Sequence, residues 1–194
     1  MATQLQDYLW TTLNLFGIEH TEIIPGVTQG SPLEFVYYPF SHSLLSTLLL
    51  AGIVYAVVRY VLRRPGAVIY AGATLSHWVV DFIVHRPDLP LAGNETAKVG
   101  LGAWNYPVIS ILIESLIAVG GLFLYLRATR GKGFAGRFGM AILIMVVLLF
   151  TIMGMLSASP PPTVEIMAMT GLIMYLVIAG LGQWLDKKRV TAIT

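Results

Sequence analysis

The chain has 194 residues, of which 56% are hydrophobic and 11% are charged, and its mean hydropathy is +0.76. Soluble domains carry about 25% charged residues, so this composition excludes an ordinary soluble domain and predicts one bundle of membrane helices. Cysteine is absent, which excludes disulfides, thiolate nucleophiles and cysteine-based metal or iron–sulfur sites.

The first segment, residues 4–18, is short and carries several polar side chains. It predicts either a short spanning helix or a helix that lies at the membrane interface. Its start lacks the basic region of a cleavable signal peptide, so no signal peptide is expected.

Five later runs contain about 20 mostly apolar residues each, the length that crosses the hydrocarbon core. They are 43–62, 66–84, 106–126, 138–157 and 164–185. The predicted fold is therefore all-α, a polytopic transmembrane bundle of five spans plus a short N-terminal helix, forming one domain over residues 1–194.

Basic residues predict how the bundle is oriented. Ten of the twelve Lys and Arg residues fall in three clusters that alternate with the apolar runs, at 59–64, 127–137 and 187–189. Cytoplasmic connections of membrane proteins are enriched in Lys and Arg, so these clusters and the C-terminus are expected in the cytoplasm. The opposite connections are 19–41, 85–105 and 157–163. The net charge of +2 arises from these short membrane-flanking clusters, so no nucleic-acid partner is expected.

The second span carries the most specific set of polar residues. His77, Asp81 and His85 are spaced by four residues, which places them on one helix face. An aspartate inside a membrane helix is costly and is a candidate functional residue, and neighbouring His and Asp side chains can share a metal ion. At 1.5 Å per residue, Asp81 and His77 lie about 6 and 12 Å below the outer boundary. Glu114 in the third span lies about as deep as His77, and His42 lies at the outer start of the first span. We therefore predict that His42, His77, Asp81 and Glu114 share a polar site in the outer half of the bundle.

Two simpler readings accompany this prediction. The same side chains could form a structural polar core, in which they only bond to one another and hold the helices in register. His20 lies in an outer connection beside Glu19 and Glu22, and we expect it to be solvated. The sequence has no G-x-S-x-G, H-E-x-x-H or phosphate-loop motif, so no cofactor-binding residues are predicted apart from metal ligands.

Two of these stretches resemble a known family. Residues 40–45 read FSHSLL and residues 76–81 read SHWVVD. They are similar to the [FY]-[ST]-H-S-L-L and S-H-x-x-x-D motifs of bacterial inner-membrane proteins described as membrane-bound metal-dependent hydrolases. A closer subgroup resembles the chain over most of its length, including the outer loop at 85–105 and Glu114. The resemblance implies a multi-pass protein of the bacterial inner membrane but no particular substrate. The chain departs from the family at its start, where the N-terminal Gly-His is absent and Gln4 and Asp7 resemble the remnant of the next motif.

The first functional hypothesis is a metal-dependent hydrolase with its site toward the outer face. His42, His77 and Asp81 would hold a divalent metal such as zinc, and the catalytic residues would be Asp81 and Glu114, with Glu114 as general base or fourth ligand. The depth of the site suggests a lipid-like ester or phosphoester as substrate. Residues of the outer loop would contact its polar head group: His85, Asp88 and Lys98.

The second hypothesis is a non-catalytic accessory subunit of a larger membrane assembly, such as a photosynthetic or respiratory complex. The missing Gly-His favours this alternative, in which the polar set is a structural core or one histidine ligates a pigment or heme. A transporter is a third possibility, which the lack of an inverted repeat disfavours. The expected partners are the lipid bilayer and, under the second hypothesis, other membrane protein subunits.

Overall fold

The structure is a computed structural model that describes residues 2–157 and 159–192. Seven α-helices dominate these residues, and the strands form three two-stranded pairs. The helices are α1 (Leu5–Leu15), α2 (Pro39–His42), α3 (Leu44–Ala56), α4 (Ala67–Val84), α5 (Pro107–Ala128), α6 (Gly133–Leu156) and α7 (Val164–Asp186). The predicted all-α helical bundle is therefore confirmed.

Five of the helices are long and apolar enough to cross a membrane, which confirms the number and order of the predicted spans. The first of them is α3, which continues through a π-helical turn, Val57–Val61. Helix α6 begins at Gly133 rather than at 138, so Arg137 lies inside its second turn. A long cationic side chain near a helix end can extend along the helix to the polar interface, which is why a charge there does not end the helix.

Helix α1 does not have the length of a membrane span. Its eleven residues extend about 16 Å, roughly half the thickness of the hydrocarbon core. It packs chiefly against α7, and the 3-10 turn that precedes it, Ala2–Gln4, packs against α4. The amide of the fully buried Gln6 donates to the carbonyl of Thr74 on α4 over 2.9 Å. The N-terminal segment is thereby held inside the bundle, between α4 and α7.

Two antiparallel hairpins lie at the end of the bundle where α3 begins and α4 ends. Their strands are β1 (His20–Ile23) with β2 (Leu33–Tyr37), and β3 (Leu89–Pro90) with β4 (Lys98–Val99). The amide of Gly30 donates to the carbonyl of Trp104 over 2.7 Å and joins the two outer connections. Beneath them lies a buried apolar cluster, formed by Trp10, Phe35, Tyr38 and Leu89.

A third strand pair lies at the opposite end. It joins β5 (Thr129–Gly131) to β6 (Arg189–Thr191) in antiparallel register. The guanidinium of Arg189 donates to the hydroxyl and the carbonyl of Thr129 over 2.7 and 2.9 Å. The connection between α5 and α6 and the segment after α7 therefore share one end of the bundle, as the alternation of basic clusters predicts. That this end faces the cytoplasm stays a prediction.

Candidate metal centre

Helix α4 supplies two members of a compact polar cluster. Because His77 and Asp81 are one turn apart, their side chains lie on the same helix face. The Nε2 atom of His77 is 3.2 Å from Oδ2 of Asp81. Asp81 is buried, with 9% of its surface exposed, although it lies on a helix that is long and apolar enough to span a membrane.

His42 enters the cluster from the short helix α2. Pro39 occupies the first turn of α2, and Ser43 has an extended backbone that separates α2 from α3. This break turns His42 inward, where 4% of its surface is exposed. The indole of Trp78 donates to the carbonyl of His42 over 3.1 Å. The Nε2 atom of His42 lies 3.7 Å from Oδ2 of Asp81.

Asp7 of α1 completes the cluster. Its Oδ1 atom lies 3.6 Å from Nε2 of His42 and 3.5 Å from Nε2 of His77. The possible ligand atoms of these three residues all lie within 4.8 Å of one another. Burial alone would raise the pKa of the Asp7 carboxyl, but the two imidazoles hold that pKa well below its usual range. Each of the two carboxylates, Asp7 and Asp81, therefore lies beside both imidazoles.

The spacing of these atoms fits a shared cation. A tetrahedral zinc site with bonds of about 2.0–2.2 Å has donor atoms about 3.3–3.6 Å apart. The four carboxylate–imidazole distances of the cluster are 3.2, 3.5, 3.6 and 3.7 Å. Nε2 of His77 and Oδ2 of Asp81 are buried and lie 3.2 Å apart, but among the described residues neither has a partner in hydrogen-bond geometry. Buried polar atoms normally have such a partner, and a cation between these two atoms would supply it.

The charge of the cluster also fits a divalent ion. Two ionised carboxylates and two neutral imidazoles carry a total charge of −2, which one divalent cation neutralises. Oxygen and imidazole nitrogen are ligands that zinc accepts. Without a cation, the two buried carboxylates need compensation from protonated imidazoles, because an unpaired buried charge is costly.

The structure brings together three of the residues that the sequence placed in one site: His42, His77 and Asp81. Glu114 is half-buried on α5, which packs mainly against α6, and no described residue forms a hydrogen bond or an ion pair with it. His77 and Glu114 are predicted to lie at similar depth, but they belong to helices that are not principal neighbours. The inclusion of Glu114 in the site therefore stays a prediction.

The residues predicted to contact a substrate head group lie outside this cluster. His85 and Asp88 are buried and bonded to each other, with 3.0 Å between Nδ1 of His85 and Oδ1 of Asp88. The hydroxyl of Tyr38 and Nε of Arg86 donate to the same carboxylate, each over 3.2 Å. Arg86 also pairs with Glu34 of β2. Lys98 lies half-buried in β4. Asp88 joins the outer loop to Tyr38, and Arg86 joins the same loop to Glu34 of β2. These bonds favour a structural role for His85 and Asp88.

Asp7 is the member of the cluster that the sequence analysis did not place in the site. The sequence did carry a signal, since Asp7 is the one charged residue of segment 4–18 and resembles part of the family's acidic motif. Its segment could not be assigned to a depth, because residues 4–18 fit both a spanning and an interfacial helix. The contacts of α1 with α2 and α7, and of the preceding turn with α4, bring Asp7 to the two histidines.

Two surface cavities are found elsewhere in the described chain. One, of about 410 Å³, lies between the connection from β1 to β2 and the connection from α6 to α7. The other, of about 530 Å³, lies at the opposite end and is lined by Arg59, Arg63 and Arg64 together with the start of α4. Residues of the Asp7–His42–His77–Asp81 cluster line neither cavity.

Comparison of the chain with protein-family models, with curated proteins and with solved structures gave no match. The geometry of the cluster and the helix pattern therefore carry the functional argument.

Proposed function

We propose that this protein is a metal-dependent hydrolase of the bacterial inner membrane, with a divalent cation held by Asp7, His42 and His77. The observation that carries the proposal is the convergence of four buried or half-buried ligand side chains from three helices, with carboxylate–imidazole distances of 3.2–3.7 Å. The resemblance of residues 40–45 and 76–81 to the hydrolase motifs supports the same function.

Each residue of the cluster then has a distinct task. The ligand atoms of Asp7, His42 and His77 all lie within 4.8 Å of one another, so these residues would hold the cation. When bound, a divalent cation supplies Lewis acidity, which acidifies water and polarises an ester or phosphoester. Oδ2 of Asp81 is close to both imidazoles and has no hydrogen-bond donor among the described residues. Asp81 would be the fourth ligand or would accept a proton from the attacking water.

The position of the cluster suggests the class of substrate. Asp81 and His77 lie about one and two turns from the end of α4, which corresponds to about 6 and 12 Å below the outer boundary. A site at this depth lies below the lipid head groups, where a lipid is present and a water-soluble molecule is not. A lipid or lipid-linked substrate therefore fits the site better than a water-soluble one.

Metal analysis of the purified protein tests this proposal. The wild-type chain should retain about one zinc or similar divalent ion per molecule, and His77→Ala should retain none. His20→Ala is the matched control, because His20 is exposed in β1 and bonds only with Glu22 in the described chain. Wild-type protein that neither retains nor takes up a divalent metal would exclude the proposal. Metal-loaded protein in phospholipid vesicles should then release product from an ester or phosphoester lipid, and a chelator should stop the release.

A second candidate is the accessory subunit, in which the same cluster is a structural core. One observation favours it: each carboxylate lies beside both imidazoles, so two protonated histidines would neutralise the cluster without a metal. Under this function the protein binds no metal, and other membrane subunits cover its helices. The metal analysis separates the two candidates, and co-purification of further subunits would support the second.

A further inference from the structure

A buried carboxylate outside the cluster is bonded to the histidine motif. Oε1 of Glu19 accepts the backbone amides of Phe40 and Ser41 over 2.8 and 2.9 Å. Oε2 of Glu19 accepts the hydroxyl of Ser41 over 2.6 Å. The same hydroxyl oxygen lies 2.8 Å from Nδ1 of His42. Glu19 and Ser41 are each 1% exposed, so this chain of bonds is shielded from water.

We propose that Glu19 and Ser41 are positioning residues that hold His42 as its Nδ1–H tautomer and so present the lone pair of Nε2 to the cluster. The Ser41 hydroxyl has one proton, which it donates to Glu19. The oxygen can then only accept from His42, so the imidazole proton is on Nδ1. Nε2, the atom nearest Asp7 and Asp81, is left with a lone pair.

The distances exclude the opposite tautomer as a well-bonded arrangement. A proton on Nε2 would face Asp7 and Asp81 at 3.6 and 3.7 Å, beyond the range of a normal N–H···O bond. A proton on Nδ1 has an acceptor at 2.8 Å. Three donors on one carboxylate are the pattern that favours its ionised form.

We call the hydrogen bonds from His42 through Ser41 to Glu19 the relay. If His42 binds a metal, the relay would orient its imidazole for binding. Histidine ligands usually donate their second ring N–H to a carboxylate or another acceptor, which fixes the tautomer and the ring orientation. Here the acceptor is a serine that is itself polarised by a carboxylate. The effect on metal affinity rests on the proposed function, whereas the tautomer of His42 does not. The two can therefore fail separately.

The test begins with full-length, metal-free wild-type protein in lipid nanodiscs, labelled with ¹⁵N in its histidine rings. The His42 signals are assigned by through-bond correlation to its own backbone, so this step needs no variant. We expect His42 to carry a proton on Nδ1 in every protonation state of the ring, with Nε2 unprotonated whenever the ring is neutral. A proton on Nε2 with none on Nδ1 would overturn the relay.

Variants then test the two positioning residues. Glu19→Gln and Ser41→Ala should each abolish the preference for the Nδ1–H tautomer and weaken zinc binding by about 10- to 100-fold. Glu22→Gln is the matched control, because Glu22 is a half-exposed carboxylate of the adjoining strand that bonds to His20. A merely structural role would change thermal stability without changing the tautomer. Unchanged tautomer and zinc affinity in folded Glu19→Gln protein would contradict the proposal.

The outcomes also separate the relay from the proposed function. An Nδ1–H tautomer in wild-type protein that binds no zinc would support the relay and overturn the metal site. A tautomer that shifts in Glu19→Gln with no change in zinc affinity would refute the role of the relay in metal binding.

Discussion

Replacing Asp7 by asparagine tests whether the N-terminal helix supplies a metal ligand. Asparagine keeps the size of the side chain, so α1 should stay packed while the cluster loses one of its two negative charges. Four-donor zinc sites contribute about 10–16 kcal/mol of apparent binding free energy, or about 2.5–4 kcal/mol per donor if the donors share it equally. At about 1.4 kcal/mol per tenfold change, Asp7→Asn should weaken zinc binding by roughly 10²- to 10³-fold.

The assay is competition of the detergent-solubilised protein with a fluorescent zinc chelator, together with circular dichroism to confirm the fold. Asp186→Asn is the control, because the carboxylate of Asp186 accepts the hydroxyl of Tyr125 over 2.7 Å at the opposite end of the bundle. Glu114→Gln should also leave the affinity unchanged, because Glu114 has no described bond to the cluster. If folded Asp7→Asn protein binds zinc as tightly as the wild type, Asp7 is not a ligand and the site has been assigned to the wrong residues.

Two further predictions concern orientation and the outer loop. A reporter fused after Arg189 should be cytoplasmic and one inserted at Gly93 external, because basic clusters stay on the cytoplasmic side; the reverse result would place the metal site at the other face. Gly100→Ala should lower the free energy of unfolding by about 1–3 kcal/mol, because φ is +156° and a Cβ there would meet the carbonyls of His85 and Arg86. Gly93→Ala, where a Cβ meets no described atom within 4 Å, should be neutral, and equal thermal midpoints for the two variants would contradict the reasoning.

The spans could be predicted from sequence because the membrane itself imposes their pattern. Hydrocarbon requires about 20 apolar residues per crossing and moves Lys and Arg to the ends. That His77 and Asp81 share one helix face could also be predicted from sequence, since it depends only on the pitch of one helix. The short strands at the two ends of the bundle were not predicted. Strand pairs such as β1–β2 join segments of polar connections that carry no strong alternation of their own.

The site residues divide according to how far their placement depends on packing. Depth could be calculated for Glu114, but the rotation of a helix and the choice of its neighbours are set by packing. Helix α5 packs mainly against α6, and among the described residues no hydrogen bond or ion pair joins Glu114 to His77. Asp7 shows the converse case. Its segment had no assignable depth, and the contacts of α1 with α2 and α7 and of the preceding turn with α4 fixed its position.

The packing of α1 on α7 joins two helices that are far apart in the chain. His77 and Asp81 lie on α4 and His42 lies on α2, so these three residues are all synthesised before α7. The α7 side of the site that holds α1 is absent until residues 164–186 have been synthesised. The packing that surrounds α1 and Asp7 is therefore completed late, after the other three members of the cluster have been synthesised.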